Sequence, residues 1–271
     1  MADAGRNNSA FSVHFRDRWY RYGSTPDWST VSIAALKYQT DDRWVVIALG
    51  SRGQLWELYP KGPIESLKQL PAEGEFTCVG AVGDALVVCG MGRTCFVRDV
   101  GGNWSDHSAE WPKPSEGVVG FTDISGRAFE DCVAVGWSGE VWQRRSRKWA
   151  RLDSPTNANL NAVDVGSDGA IYCAGDAGVL VTGRAGIWSV VETGTDADLL
   201  DICLHDGELF ACSSSEVLRL VDGELINDFA GGGDDVPRTC LKLASDGQGH
   251  LYSIGTHDVF RRSPAGWERL A

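Results

Sequence analysis

A short apolar run that ends in glycine recurs along nearly the whole chain. It appears as Leu49-Gly50-Ser-Arg-Gly53, Cys89-Gly90-Met-Gly92, Val135-Gly136-Trp-Ser-Gly139, Ala174-Gly175-Asp-Ala-Gly178 and Ile254-Gly255-Thr-His257. A degenerate copy, Ala211-Cys-Ser-Ser-Ser215, fills the widest gap, and the intervals are then about 37 to 46 residues. A unit of that length cannot bury its own apolar face and must stack on its neighbours; one four-stranded propeller blade per repeat fits the spacing. Cys132 to Leu152 is the clearest copy: an apolar strand, a glycine turn, a second strand carrying Val141 and Trp142, a polar turn, and a third strand opening at Trp149.

The expected fold is therefore all-β, a single β-propeller of six four-stranded blades. Strands a to d are predicted at 31–36, 44–49, 54–58 and 64–70; at 76–82, 85–89, 94–97 and from 104; and at 118–124, 132–135, 140–143 and 149–152. The remaining units take 160–165, 170–174, 179–182 and 188–192; 199–204, 208–212, 217–221 and 224–229; and 240–244, 250–254, 259–262 and 267–270. Phe11–Arg16 and Arg18–Tyr22 read as a hairpin that either closes the ring or forms an incomplete seventh blade. Residues 1–271 are expected to form one domain, with 1–10 a flexible tail and 11–30 the ring-closing hairpin.

Four units share a further signature, in which the glycine turn is followed by a strand and then by a Trp that opens the outer strand. The pairs are Gly90 with Trp104, Gly136 with Trp149, Gly175 with Trp188, and Gly255 with Trp267. This pattern resembles BNR-like propellers, including the photosystem II assembly factor family and the sialidase-type repeats. The sialidase-type box Ser-x-Asp-x-Gly-x-Thr-Trp is eroded here: Gly183-Arg-Ala-Gly-Ile-Trp188 and Ser263-Pro-Ala-Gly-Trp267 lack its Asp and Thr. The resemblance to sialidases also implies an arginine cluster and a Tyr nucleophile; Arg52 and Arg93 fall in equivalent inner turns, but no third arginine or tyrosine completes the set.

Charge and cysteine usage narrow the function. A net charge of -12 disfavours nucleic acid and anionic membranes as direct partners and favours a basic protein. The eight cysteines sit mostly in apolar runs with no C-x-x-C pair, as expected of buried small hydrophobes in a reducing compartment. No apolar run approaches the ~18 residues of a membrane span, and no signal segment opens the chain, so a cytoplasmic location is expected.

The Asp-Gly pairs at 168–169, 206–207, 222–223 and 246–247 lack calcium-loop spacing and read as hairpin turns. The basic run Gln143 to Lys148 reads as a solvated hairpin turn, and the scattered histidines give neither a zinc site nor a triad. No catalytic residue, metal or cofactor is expected. Binding is expected where residues vary over a constant frame, in the b–c turns, and in the d–a loops, which a propeller gathers on the same face. The candidate partner-binding set is Trp28, Arg52, Arg93, Trp137, Ser138, Asp176, Asp196, Asp198, Asp234, Asp235 and His257. The expectation is a non-enzymatic protein, a monomer when unbound: an acidic inhibitor or immunity protein that occludes a basic partner such as a nuclease toxin. The alternatives are a glycosidase- or lyase-type enzyme with carboxylates at the channel mouth, and an assembly or scaffold factor.

Overall fold

The structure, a computed structural model, describes residues 9–15, 18–22, 26–38, 44–59, 64–108, 111, 119–184, 186–229 and 235–271. Six four-stranded antiparallel sheets, each in the order of its sequence, form the six blades of a β-propeller. A separate two-stranded sheet precedes them, made of β1 (Ser12–Phe15) and β2 (Arg18–Arg21).

Chain contacts divide the protein into two compact units, residues 1–121 and 122–271. The first contains the hairpin, blade one, with β3 (Thr30–Lys37), β4 (Trp44–Gly50), β5 (Gln54–Tyr59) and β6 (Ile64–Gln69), and blade two, with β7 (Phe76–Val82), β8 (Ala85–Gly90), β9 (Cys95–Arg98) and β10 (Trp104–Asp106). Phe11 stacks on Trp56 with ring centroids 4.0 Å apart, and Tyr22 meets the same ring edge-on, so the amino-terminal segment is fastened to blade one by aromatic burial.

The second unit opens one residue into β11 (Phe121–Ala128). Blade three continues with β12 (Asp131–Gly136), β13 (Val141–Arg145) and β14 (Lys148–Leu152), and blade four has β15 (Leu160–Val165), β16 (Ile171–Gly175), β17 (Leu180–Arg184) and β18 (Ile187–Val191). Blade five has β19 (Asp201–His205), β20 (Glu208–Cys212), β21 (Val217–Val221) and β22 (Glu224–Asn227); blade six has β23 (Lys242–Ser245), β24 (Leu251–Ile254), β25 (Val259–Ser263) and β26 (Gly266–Arg269).

The repeat template has a packing reason. Second strands such as β12 and β16 are buried almost throughout and supply the apolar filling between blades. In blade four Gly183 lies opposite Trp188, whose ring covers it so closely that an added Cβ would stand 2.6 Å from the indole. All eight cysteines are buried and free. Asp206-Gly207 and Asp222-Gly223 take positive φ at both residues, the two-residue hairpin turn expected of them.

One strand departs visibly from expectation: β11, which opens at Phe121, runs on to Ala128, past the expected end at 124; residue 118, the expected start, lies outside the described residues. Gly126 permits the extension, because a Cβ there would stand 2.5 Å from the Cα of Cys132. Gly126, beyond the expected end of the strand, is here a point of close backbone approach.

Inner strands are joined from blade to blade by side chains. The Thr77 hydroxyl donates to the carbonyl of Phe121 and the Thr122 hydroxyl to that of Leu160, while Asn161 Nδ2 donates to Leu199 O at 3.1 Å. A second series uses carboxylates: Asp123 accepts the Val163 N–H at 2.9 Å, Asp164 the Leu204 N–H at 2.8 Å, and Asp201 the Leu243 N–H at 2.8 Å.

Candidate functional site

The b–c turns of blades three and four are built alike. Trp137–Gly139 and Asp176–Gly178 each make one 3-10 turn in which Ser138 (φ 55) and Ala177 (φ 54) occupy the left-handed region ahead of Gly139 and Gly178. An L residue is disfavoured there by roughly 1–2 kcal/mol, and a side-chain cap offsets the cost. The Ser138 N–H donates to Asn159 Oδ1 at 3.0 Å and the Ala177 N–H to Asp198 Oδ1 at 2.9 Å. Gly139 and Gly178 are required as well, since a Cβ would stand 2.0 Å from Thr156 O and 1.9 Å from Thr195 O.

The capping loops carry a motif that the residue-by-residue reading of acids misses. Thr156-Asn-Ala-Asn-Leu160 and Thr195-Asp-Ala-Asp-Leu199 are the same five-residue frame, Thr-x-Ala-Asn/Asp-Leu. In each the threonine hydroxyl accepts the N–H two residues on, at 3.0 and 3.1 Å. The turns and the d–a loops of blades three and four therefore meet, as expected of them.

Two candidate acids are consumed by this frame. Asp198 caps Ala177, and Asp176 accepts from Asn159 Nδ2 at 2.9 Å and Asn161 Nδ2 at 3.0 Å. Asp196, at the crest of its loop, is exposed, as are Asp153, Glu192, Ser138 and Trp137, the indole side 37% accessible. The segments 137–140, 153–159, 176–179, 192–200 and 213–216 hold Glu140, Asp153, Asp176, Glu192, Asp196, Asp198 and Glu216 and contain no Lys or Arg.

The other candidates are placed differently. Asp235 is exposed but paired with Arg269 Nε at 2.7 Å, and Asp234 lies outside the described residues. His257 is exposed in the turn of blade six, where the neighbouring Asp258 is buried and accepts from the Thr239 hydroxyl at 2.9 Å. In the first unit Arg52 is exposed, whereas Arg93 is 7% accessible with φ 60. Trp28 is half-buried and packs with the cluster around Trp56. Arg52 stands two residues after the glycine that ends its strand and faces solvent, whereas Arg93 stands three after, at the positive-φ position that Gly53 takes in blade one, and is buried; Trp28 serves the anchoring of the amino-terminal segment.

The carboxylates with raised pKa lie on the inner strands. Burial pushes Asp123 up to about 6, against the pull of Lys242 and with the repulsion of Asp201, and burial likewise raises Asp201, whose carboxylate pairs with Lys242 Nζ at 3.1 Å. Each accepts a backbone N–H from the next blade, which gives it a structural task. Because the folded-state pKa of Asp123 exceeds the ordinary ~3.9, the group favours folding at low pH, and that contribution is lost as pH rises from about 4 through 6. Asp123→Asn keeps an acceptor for Val163 and removes the charge. It is expected to raise stability at pH 7.5 by about 2 kcal/mol and to be near neutral at pH 4.5, as read from urea midpoints at both pH values; an equal effect at both would refute the assignment. Among the described residues no group of three or more His, Cys, Asp or Glu is placed to hold a metal ion.

No family model matches the chain. Among curated proteins it is 33% identical over 254 residues to the immune protein Tsi7 of Pseudomonas aeruginosa, an alignment covering 90% of this chain and 80% of that protein. Among solved structures it is similar to YCF48 from Cyanidioschyzon merolae (TM-score 0.64, 16% identity, 89% of this chain and 84% of that one). It is similar also to YCF48 bound to D1 peptide (0.62, 15%, 88% and 84%) and to the WD40 β-propeller domain of Doa1 (0.64, 10%, 87% and 79%). These structural likenesses concern the propeller fold.

Proposed function

We propose, because this chain belongs to the family of the immune protein Tsi7, that it is an immunity protein which neutralises a toxin by binding it rather than by chemistry on it. The observation that carries this reading is the 33% identity along 254 residues. An enzymatic reading has no support in the site: the inner-strand carboxylates with raised pKa are tied to backbone amides of the neighbouring blade.

The finer reading concerns the partner. The loops of blades three to five offer acidic side chains without a compensating cation, and Trp137 stands exposed among their turns. Such a surface steers a basic protein and gives it an aromatic anchor. A basic toxin domain, such as a nuclease that itself needs cations to hold nucleic acid, is the partner that this chemistry fits, met in the cytoplasm.

The product of the neighbouring gene is the first partner to test, by co-purification and then by association kinetics. Reversing the three unbonded acids together, Asp153→Lys, Glu192→Lys and Asp196→Lys, is expected to slow association at least about tenfold at low salt and to flatten its salt dependence, with the melting temperature nearly unchanged. An acidic partner, or association indifferent to both salt and the triple reversal, would remove the electrostatic reading.

A further inference from the structure

Of the outer strands of the six sheets, β18 is unlike the rest. β6 carries Glu65 and Lys68, β10 Asp106, β14 Lys148 and Arg151, β22 Glu224, and β26 Glu268 and Arg269; β18, Ile-Trp-Ser-Val-Val, carries no charge. Edge strands are ordinarily protected from pairing by charge, since their outward N–H and C=O groups invite another strand. Here the unprotected edge also bears two strongly exposed large apolar side chains, Ile187 at 77%, the highest among the described residues, and Val190 at 57%. Ile187 overhangs a cavity of about 620 Å³ shared with Tyr172, Thr182 and Leu220.

The backbone polar groups can be followed to that edge. Gly175 donates to Val179 O across β16 and β17, and antiparallel alternation then turns Leu180 and Thr182 toward their partners Val191 and Ser189 on β18. The N–H and C=O of Trp188 and Val190 consequently point out of the sheet, and those of Ser189 point in.

We propose that β18 pairs with the β18 of a second copy of this chain, antiparallel about a two-fold axis at Ser189, to form a symmetric dimer. In that register Trp188 faces the partner's Val190 as a hydrogen-bonded pair and Ile187 faces the partner's Val191. Every same-face pair is apolar except Ser189 on its counterpart, the aromatic and β-branched pairing that favours strand association. In the same register Glu192 faces the partner's Gly186, and Arg184, held by Asp168 of its own chain, stands opposite the partner's Gly194, so no like charges meet along the seam. Any charged outer strand of this protein would place charges of its own along such a seam. The dimer replaces the monomer expected from the sequence and does not depend on the immunity reading. A single strand seam is smaller than the ~800 Å² per partner of a stable interface, so dissociation in the range of about 10–100 μM is expected.

Ser189→Cys tests the register directly, because all eight native cysteines are buried. Ser189 against its counterpart is a non-hydrogen-bonded pair with Cα atoms about 4.5 Å apart, within the ~4.4–6.8 Å that a disulfide spans. Under copper–phenanthroline oxidation at 100 μM protein, S189C is expected to cross-link at least about fivefold faster than A150C, a control on the exposed, charged β14. Sedimentation of the wild type should show a concentration-dependent dimer that the doubly substituted I187K/V190K protein lacks while its thermal melt is retained. Equal cross-linking of the two cysteine variants overturns the proposal, as does a wild type monomeric at about 300 μM or a dimer that survives I187K/V190K.

Discussion

Replacing Glu57 with alanine is expected to cost about 3–5 kcal/mol of stability, because it strands a buried cation. Glu57 is 0% accessible, and Arg98, its partner from blade two, 1%. Arg98 Nε lies 3.4 Å from Glu57 Oε1, and Arg98 donates to the hydroxyls of Tyr38 at 2.6 Å and Tyr59 at 2.5 Å. Burial works against the charge on Arg98, yet Glu57, with Tyr38 and Tyr59, outweighs it and holds the guanidinium pKa above its ordinary value. Lys68, paired with Glu57 at 2.7 Å, is partly exposed and can turn to water when the carboxylate is removed; Arg98 cannot. The double substitution Glu57→Ala with Arg98→Met should recover much of the loss, since an apolar replacement of both charges removes the desolvation cost as well as the attraction. Urea midpoints of the three proteins decide the matter. A single-variant cost under about 1 kcal/mol would mean that Arg98 finds water after all.

Asp228→Ala is the second large effect, expected at about 3 kcal/mol. The carboxylate, 2% accessible, accepts from Arg262 Nε at 2.6 Å and Nη2 at 3.1 Å and from the Trp267 indole at 3.0 Å, with Arg219 Nε 3.1 Å away. It thereby ties the third strand of blade five to the outer two strands of blade six. Both arginines keep a quarter of their side-chain surface in water, which places the cost at the low end of the range for broken buried pairs. Asp228→Asn should fall between, keeping an acceptor for Trp267 while losing the charge. Thermal melts of the two variants and the wild type test the order; an Asn variant as damaged as the Ala variant would assign the effect to the charge alone.

The blades were legible because their signals are local and repeated. A strand that ends in glycine and a Trp opening the outer strand occur with regular spacing, and each Trp is paired across one hairpin of its own blade, Trp104 with Arg98, Trp149 with Arg144, Trp188 with Gly183 and Trp267 with Arg262. The candidate site was legible only in part. Loop acids can be found by composition, but Asp196 projects and Asp198, two residues on, caps Ala177; that difference shows only when the two Thr-x-Ala-Asn/Asp-Leu loops are set side by side. Asn159 at the position equivalent to Asp198 is the clue, because an amide does the same capping and the charge is therefore incidental to the turn. Arg93 and Arg52 share equivalent turns but not the same place in them, and their burial is opposite accordingly. The Glu57–Arg98 pair is not legible in one sequence: arginine recurs at the position of Arg98 as Arg144 and Arg262, each opposite the Trp of its outer strand, but nothing marks Glu57, in another blade, as the partner.

The threonine, asparagine and aspartate clasps between inner strands have a consequence for how the chain comes off the ribosome. Thr122 waits for Leu160, Asn161 for Leu199, Asp164 for Leu204 and Asp201 for Leu243, so each clasp closes about forty residues after its first member is made. No clasp of this series needs a distant end of the chain. The second unit can settle during translation one repeat at a time, each newly emerged strand locking the blade before it.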